Sequence, residues 1–246
     1  MPLDRFSTQA AAYARYRIAY PPELYVWLLP QVPNRLRAWD CATGNGQVAA
    51  VLADYFRDVE ATDLSVNQLS EAAERPNIHY QVATAEHTPF PDDYFDLITV
   101  GQAVHWFDLA AYHAEVRRVA GPGTVLAEWG YQFCHTDQPA LNQVLNQFHD
   151  ETAAPYWDAN RRHVENEYAE LPFPFARVRR AHFTVTKYWQ LADMLGYLRS
   201  WSATANYARQ HDGADMVALV ADELAQLWGV GEREVIFPIF ARAGIV

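Results

Sequence analysis

Cysteine is nearly absent. Cys41 and Cys134 are the two thiols in 246 residues. They make no disulfide framework, and neither has a second cysteine at metal-ligand spacing. Long apolar runs are missing as well: half of the residues are apolar, yet no stretch approaches the ~20 residues of a membrane-spanning helix. The start, Met1-Pro2-Leu3-Asp4-Arg5, lacks the charged-then-apolar pattern of a secretory signal, so the expected location is cytoplasmic. Lysine is reduced to Lys187, and 19 basic residues face 30 acidic ones, a net charge of −11. An enzyme acting on nucleic acid needs a basic stripe for the phosphates. Here Arg35/Arg37, Arg117/Arg118, Arg161/Arg162 and Arg177/Arg179/Arg180 form short clusters that read as solvated faces. Nucleic acid and membrane are excluded as partners, a small molecule is favoured, and no obligate protein partner is indicated. No Gly/Ser-rich linker, repeat or low-complexity segment interrupts the chain, whose length suits one large α/β domain.

What is present centres on Ala38-Trp39-Asp40-Cys41-Ala42-Thr43-Gly44-Asn45-Gly46-Gln47, with Asp63 nineteen positions after Gly44. The pattern reads as a buried strand, a tight glycine turn, a helix, and a second strand ending on an acid. In doubly wound α/β folds this arrangement holds the sugar of a nucleoside cofactor. Gly44-x-Gly46-x-x-Ala49 also satisfies a dinucleotide fingerprint, in which a pyrophosphate meets the helix N-terminus. Asp40 separates the two readings. A carboxylate there repels a pyrophosphate, whereas it attracts the sulfonium and ammonium of S-adenosylmethionine. Capping of nearby backbone N–H groups is the structural alternative for Asp40. Asp63 suits ribose hydroxyls in either reading.

Strands are expected at about 36–42, 59–62, 78–83, 95–101 and 124–130. A helix over 47–56 is supported by Val48, Val51, Leu52 and Tyr55 at helical spacing. Ser65 and Gln68 can form a capping box. Asp108 caps a helix running to Val119, stopped by Gly121-Pro122-Gly123. Beyond residue 131 the expectation is helix over 138–170 with a break near Pro155, a strand over 178–185, helices over 190–201 and 214–228, and a strand over 234–241. Pro238 points to a bulge or an edge position in that last strand. Alternation of strands and helices implies a parallel sheet with right-handed crossovers.

Several segments, taken in order, resemble a family. Asp40–Gln47 resembles motif I of the class I S-adenosylmethionine-dependent methyltransferases. Thr84-Ala85-Glu86-His87-Thr88-Pro89-Phe90 resembles their adenine-side segment, and Phe95–Val100 their fourth strand. Gln102-Ala103-Val104-His105-Trp106-Phe107 is similar to the substrate-facing loop of the small-molecule branch that includes trans-aconitate methyltransferases. Val119–Thr124 resembles the turn into strand five. Tyr13–Arg17 with Tyr20-Pro21-Pro22 resembles the N-terminal arm of that branch, and Tyr197–Ser202 its C-terminal signature. Two positions depart from the pattern: Ala42 stands where the first glycine of motif I is usual, and Thr84 where an acid meets the adenine amino group.

The resemblance implies a doubly wound, mostly parallel seven-stranded sheet, an N-terminal helical arm (1–30), a cofactor-binding core (35–131) and a remainder (132–246) of helical insertion, substrate pocket and last strands, all in one domain. It implies S-adenosyl-L-methionine as cofactor, touched by Tyr13, Arg17, Asp40, Cys41, Ala42, Gly44, Asp63, Leu64, Ala85, Glu86 and Gln102. The acceptor is expected to be a small organic molecule, with the aromatic C-terminal half suggesting an organic acid. A carboxylate acceptor needs no general base; a phenol, amine or hydroxyl is helped by one. His105 is the candidate base, or else a residue that holds its own loop. Trp106 and Trp201 are candidate pocket walls, Tyr207 a further lining residue, and Arg199 a partner for a substrate carboxylate. The other histidines, His149 and His163 among them, show no metal pairing and read as structural or surface residues. Two alternatives stand beside the transferase: a protein that binds the cofactor without transfer, and a nicotinamide-dependent oxidoreductase. The latter is disfavoured by Asp40 and by the lack of a Tyr-x-x-x-Lys pair.

Overall fold

The structure, a computed structural model, describes residues 18–246. Tyr13, Arg17 and the first part of the expected arm lie outside the described residues. From Pro22 the chain forms α1 (Pro22–Leu28), β1 (Arg37–Cys41), α2 (Gln47–Leu52), β2 (Asp58–Asp63), α3 (Val66–Ser70), β3 (Ile78–Val82), β4 (Phe95–Gly101), α4 (Leu109–Val119) and β5 (Ala120–Tyr131). It continues through β6 (His135–Thr136), α5 (Pro139–Gln147), α6 (Arg162–Glu165), β7 (Ala176–Trp189), α7 (Leu191–Arg199), α8 (Ser202–Gln210), α9 (Ala218–Trp228) and β8 (Arg233–Ile245). Asp108 caps its helix as expected, accepting from the N–H groups of Ala110 and Ala111; of the expected capping box only the Ser65 half forms, its hydroxyl accepting from the Gln68 N–H at 3.3 Å while the Ser65 N–H donates to Asp63.

The strands join in one sheet with the order β3-β2-β1-β4-β5-β8-β6, and β7 on the other flank of β8. β1 to β5 pair in parallel, and β8 runs against both β5 and β7. β6 meets residues 235–236 of β8, just beyond the stretch 239–245 that β5 covers, so it extends the β5 flank rather than adding a layer. The expected seven-stranded, mostly parallel sheet is therefore present with this short extra piece.

Both faces of the sheet are covered, so the inner strands read as nearly continuous apolar runs. Ala38, Leu97, Val125, Ala127 and Trp129 pack with Leu24, Leu28, Val48 and Leu52 on one face. Trp39, Cys41, Ile98, Val100 and Leu126 pack with Tyr112, Val116 and Val119 on the other. A third core, holding Leu141, Phe148, Leu198, Trp201 and Trp228, belongs to the second half of the chain.

Two expectations are corrected here. Pro238 is not at an edge: it lies inside β8, opposite Thr184 of β7, beside the one-residue register shift on the other flank, from Tyr131↔Ile239 to His135↔Ile236. Its carbonyl accepts from the Gln132 N–H at 2.9 Å, in the gap between β5 and β6, so the N–H that proline lacks is missed where the neighbouring ladder is interrupted. Residues 138–170 are also less helical than expected. After α5 the chain widens into a π-type turn at Phe148–Thr152, then takes short turns at Ala154–Tyr156 and Ala159–Arg161 before α6.

Candidate active site

The C-terminal ends of β1, β2 and β4 lie side by side, where ligands of doubly wound sheets bind. Asp40, at the end of β1, is fully buried. One carboxylate oxygen accepts from the Thr43 hydroxyl and from the Ala49 N–H (3.1 Å), and the other accepts from the Thr99 hydroxyl at 2.9 Å. These bonds fasten the glycine turn to α2 and β4, so the capping role is visible directly. The carboxylate also leaves a negative charge beneath the turn. Within the turn Gly44 and Gly46 have φ of 58° and 78°, and the Tyr80 ring packs where a Cβ of residue 46 would stand. Ala42 takes φ of 54°, a left-handed conformation that glycine adopts without strain.

Asp63 bridges two loops. Its Oδ2 accepts from the Gly44 N–H at 2.8 Å and its Oδ1 from the Ser65 N–H at 2.8 Å. Each oxygen keeps a further acceptor site. Leu64 beside it is 41% exposed, an apolar side chain offered to whatever occupies the cleft. Cys41 is wholly buried among core side chains, and burial raises its thiol pKa far above the usual range, so any contact it makes with the cleft is through its backbone. Across the cleft Thr84 accepts from the His87 N–H (3.1 Å), Ala85 is buried, and Glu86 accepts from the Asp108 N–H (3.0 Å), tying the loop to α4. Gln102, with φ of 58°, accepts from the Tyr131 N–H at 2.8 Å and donates to the Tyr131 carbonyl at 3.3 Å. Its side chain thus stands in for one more rung between β4 and β5.

His105 follows in a short turn, Val104–Trp106, with its ring 4.8 Å from that of Trp106. It is buried, and Nδ1 lies 3.2 Å from the Tyr168 hydroxyl. Burial, with the positive charges of Arg161 and His163 added, lowers its pKa to about 3. The ring is neutral at pH 7 and a poor proton acceptor. Tyr168 is itself anchored: Arg242 Nη1 donates to its carbonyl at 3.0 Å and to that of Leu171 at 2.9 Å. Arg242 on β8 pairs with Glu128 on β5, Nε donating to Oε2 at 2.8 Å, with both side chains out of reach of solvent.

The second half of the chain adds an aromatic enclosure. Trp201 is ringed by Phe133, Phe148, His149, Trp157 and Tyr197, with centroids 5.1 to 5.9 Å away. The Arg161 guanidinium lies over the Trp157 ring at 5.0 Å. Its Nε is buried without a hydrogen bond, and the nearest carboxylate oxygen, from Glu165, is 4.0 Å away. Arg161 is therefore not part of a solvated face. Arg199 is placed differently: it is half-exposed and forms a two-pronged pair with Asp215 at 2.9 and 2.8 Å, committed away from His105 and Trp106. Tyr207 stacks on His211 and meets Tyr156 rather than Trp201. The fold thus brings Asp40, Ala42, Gly44, Asp63 and Gln102 to one cleft rim, links His105 to the insertion through Tyr168, and pairs Arg199 with Asp215. Arg161, His149 and Tyr168 carry no motif, and only tertiary placement makes them candidates.

A methyltransferase-domain family matches residues 39–127. A Dictyostelium discoideum protein that bears the name of a methyltransferase is 30% identical over 209 residues, spanning 84% of this chain and 80% of its own. An uncharacterized methyltransferase of Mycobacterium tuberculosis is 37% identical over 119 residues, 48% of each chain. The solved structure of an Anaeromyxobacter dehalogenans protein, described as a type II methyltransferase, superposes with a TM-score of 0.84 at 38% identity, covering 93% of this chain and 97% of that one.

Proposed function

The chain belongs to the class I S-adenosylmethionine-dependent methyltransferases, and from that premise we propose that it methylates a small organic acid seated against Arg161. The observation that carries this reading is the Arg161 guanidinium: packed on Trp157, close enough to His105 for its charge to be felt there, and with a buried Nε that has no hydrogen bond. A forked cation of this kind suits a carboxylate. The low basicity of His105 supports the same reading, since a carboxylate is already ionised at neutral pH and attacks without a base. His105 then serves as a neutral wall, fixed by Tyr168, with Trp106 beside it.

The cleft residues fit the cofactor. Asp63 retains acceptor sites for two ribose hydroxyls, Leu64 offers an apolar surface, and Asn45 Oδ1 and Gln47 Oε1 are buried acceptors without partners beside a turn that expects an ammonium group. Asp40 adds the negative charge beneath it, Ala42, Gly44 and the Cys41 backbone line the turn, and Ala85, Glu86 and Gln102 border the far side. Tyr13 and Arg17, outside the described residues, are the remaining cofactor contacts that the resemblance implies. Bound S-adenosylmethionine supplies an activated methyl group. The protein's task is to align the acceptor and exclude water, which the aromatic enclosure favours. Among the described residues no helix is long and apolar enough to cross a membrane; a cytoplasmic, single-domain enzyme is the reading we adopt.

Methyl-group transfer to a panel of carboxylic acids, followed by mass spectrometry, tests this. Methylated acids, lost in Arg161→Met, are expected. Turnover confined to acceptors without a carboxylate would overturn the acid reading. Binding of S-adenosylhomocysteine without turnover of any acceptor would favour a binder that does not transfer.

A further inference from the structure

His149 is a buried histidine in the same enclosure that the proposed chemistry leaves unused. It sits on the π-type turn Phe148–Thr152, a geometry that departs from a regular helix and often marks a functional position. Its ring stacks on Phe133 (4.7 Å, 11° between planes) and meets Trp157 at 5.5 Å and Trp201 at 5.6 Å. Nδ1 lies 2.6 Å from Asp150 Oδ1. The proton on Nδ1 is donated along that bond, and Nε2 is the ring nitrogen left open to a ligand. Nε2 is buried and has no hydrogen-bond partner; Glu165 Oε1, at 3.9 Å, is out of reach. The Trp157 indole N–H is buried and unpartnered too. One buried acceptor and one buried donor thus share a box whose cation is Arg161, and buried polar groups in native proteins normally have partners.

We propose that the acceptor carries a hydroxyl group besides its carboxylate, and that His149 Nε2 receives that hydroxyl's hydrogen bond while Arg161 and the Trp157 N–H take the carboxylate. The substrate class is then a flat hydroxy acid, laid against the aromatic cluster of Phe133, Trp157 and Trp201. This rests on the acid reading given above and narrows it. His149 acts here in recognition: Asp150 fixes its tautomer from the solvent side, and the aromatic walls fix its plane. Glu165 is half-exposed, with Oε1 3.9 Å from His149 Nε2 and 4.0 Å from Arg161 Nε, so its carboxylate turns outward to admit the acid.

The test uses the full chain loaded with S-adenosylhomocysteine, titrated calorimetrically with benzoate and with each of the three monohydroxybenzoates. At least one hydroxylated isomer is expected to bind about tenfold more tightly than benzoate. His149→Phe, which keeps a flat ring on Phe133, is expected to abolish that preference while leaving benzoate and S-adenosylhomocysteine affinities unchanged. Equal binding of all four acids, or a preference that survives in His149→Phe, overturns the proposal. If S-adenosylhomocysteine binds but no acid does, the acid reading itself falls and the hydroxyl with it. Should His149→Phe fail to bind S-adenosylhomocysteine, the imidazole ¹⁵N resonances of the unaltered protein decide. A shift of the Nε2 signal with the hydroxylated acid and not with benzoate supports the assignment; no difference removes it.

Discussion

His105 Nδ1 and the Tyr168 hydroxyl, 3.2 Å apart, join the turn after β4 to the insertion that follows α6. Tyr168 is held in turn by Arg242, and Arg242 by Glu128, so the ring beside the cleft is fixed through contacts that end in the middle of the sheet.

Burial of a neutral His105 has a signed consequence for stability. In the unfolded chain the imidazole takes up a proton near pH 6.5; in the folded protein it does so only near 3. Between these values the unfolded state holds more protons, so this contribution is intact above pH 6.5 and declines as pH falls, by about 1.4 kcal/mol per pH unit. Urea unfolding at pH 7 and pH 5 is expected to show a loss about 2 kcal/mol larger in the wild type than in His105→Gln. Equal losses would contradict a neutral buried ring.

Asp63 supports the turn, and in the proposed site it also takes the cofactor's sugar. Asp63→Ala is expected to weaken S-adenosylhomocysteine binding by about 1–3 kcal/mol, read by calorimetry. Asp63→Asn, which keeps one acceptor oxygen, should lose less. Identical affinities for wild type and Asp63→Ala would remove Asp63 from the cofactor site.

Ala42 departs from glycine at a position that the backbone makes left-handed. Ala42→Gly is expected to relieve the strain and raise stability by about 1 kcal/mol, equivalent to about 2–4 °C in the melting temperature of a chain this size. Cofactor affinity should be retained or improved. A fall in melting temperature would mean that the alanine methyl group makes packing contacts worth more than the strain.

The proposed reading gives the substrate carboxylate to Arg161 in place of Arg199. Arg161→Met is expected to raise the KM for an acid acceptor about 10–100-fold, from loss of charge-assisted hydrogen bonds. Arg199→Ala should leave KM unchanged and alter stability by about 0.5 kcal/mol or less, because its pair with Asp215 is exposed. The reverse pattern in steady-state kinetics would restore Arg199 as the carboxylate partner.

Legibility differed between the two halves for physical reasons. The strands from β1 to β5 were readable because apolar residues, continuous in β4 and alternating in β2, stand between turn residues, and the caps at Ser65 and Asp108 because they depend on neighbours in the chain. Local spacing also placed Asp40 and Asp63 at strand ends. It could not show that Asp40 is shared among Thr43, Ala49 and Thr99, since Thr99 is 59 residues away. Arg161 and Arg162 look alike as a basic pair, but only Arg161 turns onto Trp157. His149 has no local signal at all, because its setting comes from Phe133, Trp157 and Trp201. As an edge signal Pro238 misled for a related reason: proline breaks a ladder only where a ladder exists, and the gap between β5 and β6 is invisible in the order of residues.

Because Glu128 and Arg242 face each other across β5 and β8 with both side chains buried, the pair discriminates among ways of assembling the sheet. Sliding β8 by one residue would turn Arg242 to the opposite face of the sheet, away from Glu128 and from the Tyr168 and Leu171 carbonyls, and would bury two lone charges at a cost of several kcal/mol. The apolar residues of β8 could tolerate such a slip, since both of its faces are covered; the ion pair does not. It acts as a keyway that admits one alignment, and with that alignment it sets how far the insertion reaches over the cleft.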